Sequence, residues 1–126
     1  MIRVIVVDDQ ALVRDGFRAI LESQADCEVV GTAADGVDAV EQTLRLQPDV
    51  VLMDIRMPRL DGIEATRRVC SDPRWPGRVI VLTTYGDDEY VWDAFDAGAS
   101  GFLLKTTTAG DLVHAVRSAA LGTELL

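Results

Sequence analysis

Residues 1–10 read MIRVIVVDDQ. Ile2, Val4, Ile5, Val6 and Val7 form a strand-like run that is apolar towards both faces, as in the interior of a parallel sheet. The run stops at Asp8-Asp9. Two adjacent like charges at the end of a buried strand destabilise each other unless positive charge sits beside them. Either the acids cap the helix that follows, for which Asp9 ahead of Ala11 is suitably placed, or they hold a cation.

The same rhythm continues along the chain. Strand-like runs over Ile2–Val7, Glu28–Thr32, Val50–Met53, Val79–Leu82 and Gly101–Leu104 alternate with helical stretches beginning near Ala11, Gly36, Gly62, Asp88 and Thr108. In the first helix Val13, Phe17, Ile20 and Leu21 share a face, and in the last Leu112, Val116 and Ala119 do. Breakers separate the elements at Pro48, Pro58, Pro73, Pro76-Gly77 and Gly98. Alternating βα units predict an α/β domain with a doubly wound parallel sheet. Five of them favour the flavodoxin-like (βα)5 strand order 2-1-3-4-5, in which ligands bind outside the carboxyl ends of the strands where order reverses.

Composition narrows the class. The 126 residues make one domain with an ordinary globular balance, 48% hydrophobic and 26% charged. A net charge of −9 repels phosphate backbones and suits divalent cations or basic partner surfaces. No apolar run approaches the ~18 residues of a membrane span, and the N-terminus lacks signal-peptide features. Cys27 and Cys70 are too few for a disulfide framework, which favours a reducing, cytoplasmic location.

The predicted order makes the strand-terminating residues informative. Strand one ends in Asp8-Asp9, strand three in Asp54, strand four in Thr83 and strand five in Lys105. Three carboxylates on neighbouring strands need a counter-charge, and hard oxygen ligands suit Mg²⁺, with Mn²⁺ as an alternative. A metal, a carboxylate, a hydroxyl and an ammonium together can stabilise a transferred phosphoryl group, the carboxylate being its acceptor.

VDDQ (7–10), VLMDIRMPRLDG (51–62), VLTTY (81–85) and GFLLK (101–105) resemble the receiver domain of bacterial two-component response regulators. The resemblance runs over residues 1–121. RDGFRAILE (14–22), DDEYVWDAFDAGASGFLLK (87–105) and LVHAVRSAALG (112–122) resemble the NarL/FixJ subfamily. The resemblance implies that Asp54 accepts a phosphoryl group from the phosphohistidine of a sensor histidine kinase. It implies that Asp9, Asp54 and the Arg56 backbone carbonyl ligate Mg²⁺, with Asp8 acting through a metal-bound water. Thr83 and Lys105 would contact the phosphoryl group, and Thr83 with Phe102 would form the conformational switch. It further implies a cis peptide after Lys105, here non-proline because Thr106 follows.

By the same resemblance, residues 122–126 begin a linker to a helix-turn-helix domain, so that DNA is met only through that further domain. A homodimer is expected, formed on phosphorylation or before it. Competing readings are a stand-alone or phosphorylation-independent receiver acting by protein contacts, and, more remotely, a Mg²⁺-dependent aspartyl-phosphate phosphatase. The DxDxT pattern of the latter is broken, since Ile55 and Arg56 follow Asp54, and turnover enzymology is not expected. Arg56 and Tyr85 flank the expected site mouth and Asp87 lies near its entrance. His114 reads as a surface residue, Trp75 as loop packing, and Trp92 as lying beside the Val91/Phe95 face of its helix.

Overall fold

The computed structural model describes residues 1–84, 86 and 88–122. β1 (Ile2–Val7), α1 (Ala11–Glu22), β2 (Cys27–Ala33), α2 (Gly36–Leu46), β3 (Val50–Asp54), α3 (Gly62–Cys70), β4 (Arg78–Thr83), α4 (Asp88–Asp96), β5 (Gly101–Leu104) and α5 (Ala109–Ala120) follow one another in strict alternation. The strands form one parallel sheet in the order β2-β1-β3-β4-β5, as the sequence predicts. Three strands run a residue or so beyond the expected ends. β2 takes in Cys27 and Ala33, β3 includes Asp54, and β4 spans Arg78 to Thr83. In β3 and β4 the apolar signal stops before the polar terminal residues whereas backbone pairing continues through them, and in β2 the pairing takes in the buried Cys27 and Ala33.

Side-chain alternation along the strands splits the core in two. Val4, Val6, Val50, Leu52, Ile80 and Leu82 face α1 and α5, where Phe17, Leu21, Leu112 and Val116 cover them. Ile5, Val7, Val51, Met53, Val79 and Val81 face the other way, towards Ala39, Ala65, Val69 and Ala94 on α2, α3 and α4. Both faces of the central strands are therefore dry, which is why the runs read as continuous rather than alternating. The buried Trp75 donates from Nε1 to the Pro48 carbonyl at 2.8 Å and closes the α3–β4 loop, as expected of it.

Register then carries the polar strand ends to one edge. Val7 pairs with Met53, so Asp8 and Asp54, the next residue of each strand, are neighbours. Thr83 pairs with Leu104, and the Lys105 amide donates to the Thr83 carbonyl at 2.8 Å. The peptides of the described residues are all trans, that between Lys105 and Thr106 included, which corrects the cis geometry implied by the resemblance.

Candidate functional site

The β3–α3 loop is fixed from both ends. The Gly62 amide donates to the Ile55 carbonyl at 2.7 Å, and a methyl group on Gly62 would overlap the Asp54 carbonyl oxygen. Only a residue without Cβ lets α3 begin this close to the strand end. Asp61 caps α3 through the Glu64 amide, and Asp35 caps α2 through the Asp38 amide. Asp35 also meets Arg59 at 3.4 Å, and Arg59 itself holds a left-handed φ of 69°. The Gly36 amide donates to the Leu60 carbonyl at 3.0 Å, which ties the loop to α2.

Asp8, Asp9 and Asp54 converge, with one carboxylate oxygen of each lying within 4.8 Å of the others. Asp8 is fully buried, Asp54 is 4% exposed, and Asp9 is open to solvent. Lys105 Nζ bridges the buried pair, 3.0 Å from Asp8 Oδ2 and 3.0 Å from Asp54 Oδ1. Asp8 Oδ1 accepts the Gln10 amide at 2.9 Å. Gln10, not Asp9, stands at the N-cap of α1, and no side chain caps that helix, so the capping explanation fails for Asp9. Arg14 reaches back from α1 to donate to the Asp8 carbonyl at 2.6 Å.

Two buried carboxylate oxygens of the cluster lack a hydrogen-bond partner among the described residues, and of these Asp8 Oδ2 has the Lys105 ion pair. Asp54 Oδ2 is buried and has no hydrogen-bond partner among the described residues. An unmatched buried carboxylate oxygen costs free energy unless a cation or donor meets it. The Asp54 pKa is raised to about 6 as the net of several effects, burial being the largest. Lys105 pulls it down, and the Asp8 and Asp9 charges push it up. For Lys105 burial opposes the charge, yet the hydrogen bonds and charges of Asp8 and Asp54 prevail and leave its pKa raised. One ammonium for three carboxylates leaves a deficit of positive charge at an open, oxygen-rich edge. The donor set fits a hard divalent ion such as Mg²⁺.

The remaining expected residues lie around this edge. Thr83 is buried at the end of β4, and its hydroxyl donates to the Leu103 carbonyl of β5 at 3.3 Å. Phe102 is 37% exposed and meets Phe95 edge-on, ring centroids 6.3 Å apart. Plain core packing therefore does not describe it. Trp92 is 72% exposed and His114 is exposed. The Arg56 guanidinium lies over the Tyr90 ring on α4, 5.1 Å from its centre. Tyr85 and Asp87 lie outside the described residues. Sequence reasoning missed Arg14, Tyr90 and Gly62 as neighbours of the site. Gly62 alone carried a signal, as a glycine directly after the capping Asp61.

A doubly wound sheet with an acidic cluster at its switch point, met there by the lysine that follows β5, defines a class of α/β domains whose carboxylates fit a divalent cation. The family model for the response regulator receiver domain matches residues 4–117. The transcriptional regulatory protein LiaR of Bacillus subtilis is 46% identical over 125 residues, covering 97% of this chain and 57% of that protein. The response regulator protein VraR of Staphylococcus aureus strain NCTC 8325 is 42% identical over 122 residues, covering 96% and 57%. The signal receiver domain of NarL from Mycobacterium tuberculosis superposes with a TM-score of 0.90 at 39% identity, covering 96% of this chain and 97% of that one. The chain belongs to the response regulator receiver domain family. It spans 57% of the length of each of these two curated relatives. No helix of the described residues is long and apolar enough to cross a membrane.

Proposed function

We propose that the chain is the phosphoacceptor of a two-component pathway, with Asp54 as the acceptor residue and the phosphohistidine of a sensor kinase as donor. An Asp54 carboxylate oxygen attacks phosphorus. The O–P bond forms as the N–P bond breaks, and the electron pair returns to the donor imidazole. Asp9, Asp54 and the Arg56 carbonyl would hold Mg²⁺, with Asp8 behind them through a water. A bound Mg²⁺ supplies charge neutralisation at the phosphoryl oxygens. Lys105 leaves the two carboxylates to pair with the new anion, and Thr83 exchanges the Leu103 carbonyl for a phosphoryl oxygen. The space Thr83 vacates receives Phe102, whose outward ring gives way. Local charge is thereby converted into a change of the α4–β5 surface.

The observation that carries this reading is the buried, unpartnered Asp54 Oδ2 beside an ammonium at 3.0 Å from its sister oxygen. LiaR is named a transcriptional regulatory protein. With the partial coverage of the relatives, this supports control of a DNA-binding, helix-turn-helix output domain joined by a linker that begins at residue 122. A histidine kinase and a second copy of the chain are the expected partners, in the cytoplasm, and one phosphoryl group per chain is expected rather than turnover.

Intact mass after incubation with a small acyl phosphate, with and without Mg²⁺, tests the reading. One Mg²⁺-dependent phosphoryl adduct that Asp54→Asn abolishes is expected. No adduct from any donor would make the chain a phosphorylation-independent receiver, and multiple turnover of a phosphate ester would make it a phosphatase.

A further inference from the structure

Arg56 stands two residues beyond Asp54, yet its guanidinium rests on a different element, over the Tyr90 ring of α4. Tyr90 is half-buried against the apolar cluster that includes Ala94 and Ala99. A residue of the acidic loop and a residue of α4 thus hold one another in cation–π geometry. The same helix carries Phe95, packed on Phe102, and the exposed Trp92, 6.3 Å from Phe95 between ring centres. At most ~7 Å of backbone separates the Cα atoms of Arg56 and Asp54. The Tyr90 ring and any anion formed on Asp54 therefore both lie within reach of the guanidinium.

We propose that the Arg56–Tyr90 pair is a latch that holds α4 in its unphosphorylated position and opens when Arg56 turns to the phosphoryl oxygens. The inference rests on the phosphoacceptor reading. A phosphoryl group brings one to two negative charges and three strong acceptors. A guanidinium binds such oxygens through charge-assisted, fork-shaped hydrogen bonds that a ring face cannot match. The ring is the better partner only while Asp54 is unmodified. That difference in preference between the two states is what moves an equilibrium. In this scheme Arg56 contacts the phosphoryl group itself, and Tyr90 is the positioning residue that ties it to α4.

A double-mutant cycle tests the latch. Phosphoryl uptake from a small acyl phosphate with Mg²⁺ is followed by intact mass. Acrylamide-quenchable emission reports Trp92, since Trp75 is buried. Tyr90→Leu is expected to speed uptake roughly two- to five-fold, the range of an exposed cation–π pair. Its emission before loading should already lie near the loaded value. Tyr90→Phe keeps the ring and should match wild type. In an Arg56→Gln background, Tyr90→Leu should change nothing further, an outcome that a purely structural role for Tyr90 does not produce. Should Tyr90→Leu fail to fold, Tyr90→Met fills the same space without the ring and replaces it in the cycle. An unchanged uptake rate, or the same Tyr90 effect in both backgrounds, overturns the latch while an Asp54-dependent adduct upholds the acceptor reading. No adduct on the wild type overturns both.

Discussion

Asp54 is the residue at which burial and charge conflict most directly. Its folded pKa of about 6 stands above the ordinary 3.8 because it is desolvated beside Asp8 and Asp9, with Lys105 only partly compensating. Between those two values the folded chain keeps a proton that the unfolded chain has released. Stability contributed by this group is therefore present at low pH and is lost as pH rises from about 4 to about 6. Asp54→Asn should remove the penalty, since a neutral amide still accepts from Lys105 and can donate to the neighbouring carboxylates. In chelator at pH 7 the variant is expected to be more stable than wild type by about 1–3 kcal/mol, an advantage that disappears below about pH 4. Urea titrations at both pH values check this. An Asp54→Asn advantage of the same size at pH 3.5 would show that burial, not ionisation, sets the difference. The position of Asp54 was legible in the sequence because three carboxylates end neighbouring buried strands with Thr83 and Lys105 beside them, whereas a single one is as readily a helix cap. The hand of Arg56 on Tyr90 was not, because it depends on how a loop side chain crosses to a helix 34 residues further on, and no periodic pattern encodes that direction.

The elements are held with unequal strength. α5 is capped by Thr108, whose side chain accepts the Asp111 amide, and it buries Leu112, Val113, Ala115, Val116 and Ala119. Among the described side chains of α4, Ala94 alone is fully enclosed, while Tyr90, Val91 and Phe95 are half-buried. A helix with little buried apolar surface opens locally at low cost. α4 amides are expected to exchange with deuterium at least about ten-fold faster than those of α5 in the unmodified protein. Mass spectrometry of peptides covering residues 88–96 and 109–120 measures this, and equal protection would argue against α4 as the mobile half of the switch. Helix identity was legible in the apolar spacing of α1 and α5. In α4 the Val91/Phe95 face proved only half-covered, with Phe95 meeting Phe102 edge-on and the exposed Trp92 at a tilt.

At the scale of the molecule, 21 acidic residues face 12 basic ones, so two effects of Mg²⁺ on stability have to be separated. Diffuse screening of a net charge of −9 stabilises any acidic domain and follows ionic strength. Binding at the Asp8, Asp9 and Asp54 cluster would saturate, adding about 2.7 kcal/mol once free Mg²⁺ reached a hundred times its dissociation constant. Asp9 separates the two, because it is exposed and outside the Lys105 bridge, so replacing it disturbs packing little. In wild type, melting temperature should rise with MgCl2 along a saturating curve above that for NaCl of equal ionic strength. Asp9→Asn should keep the shared screening slope and lose most of the saturating part. If Asp9→Asn retains the full saturating rise, the ion is held without Asp9. Were wild type to follow NaCl and MgCl2 alike, the cluster would bind no divalent ion in this range. Asp8 and Asp54 would then depend on Lys105 alone for compensation, and the unpartnered Asp54 oxygen would remain a net cost to the fold.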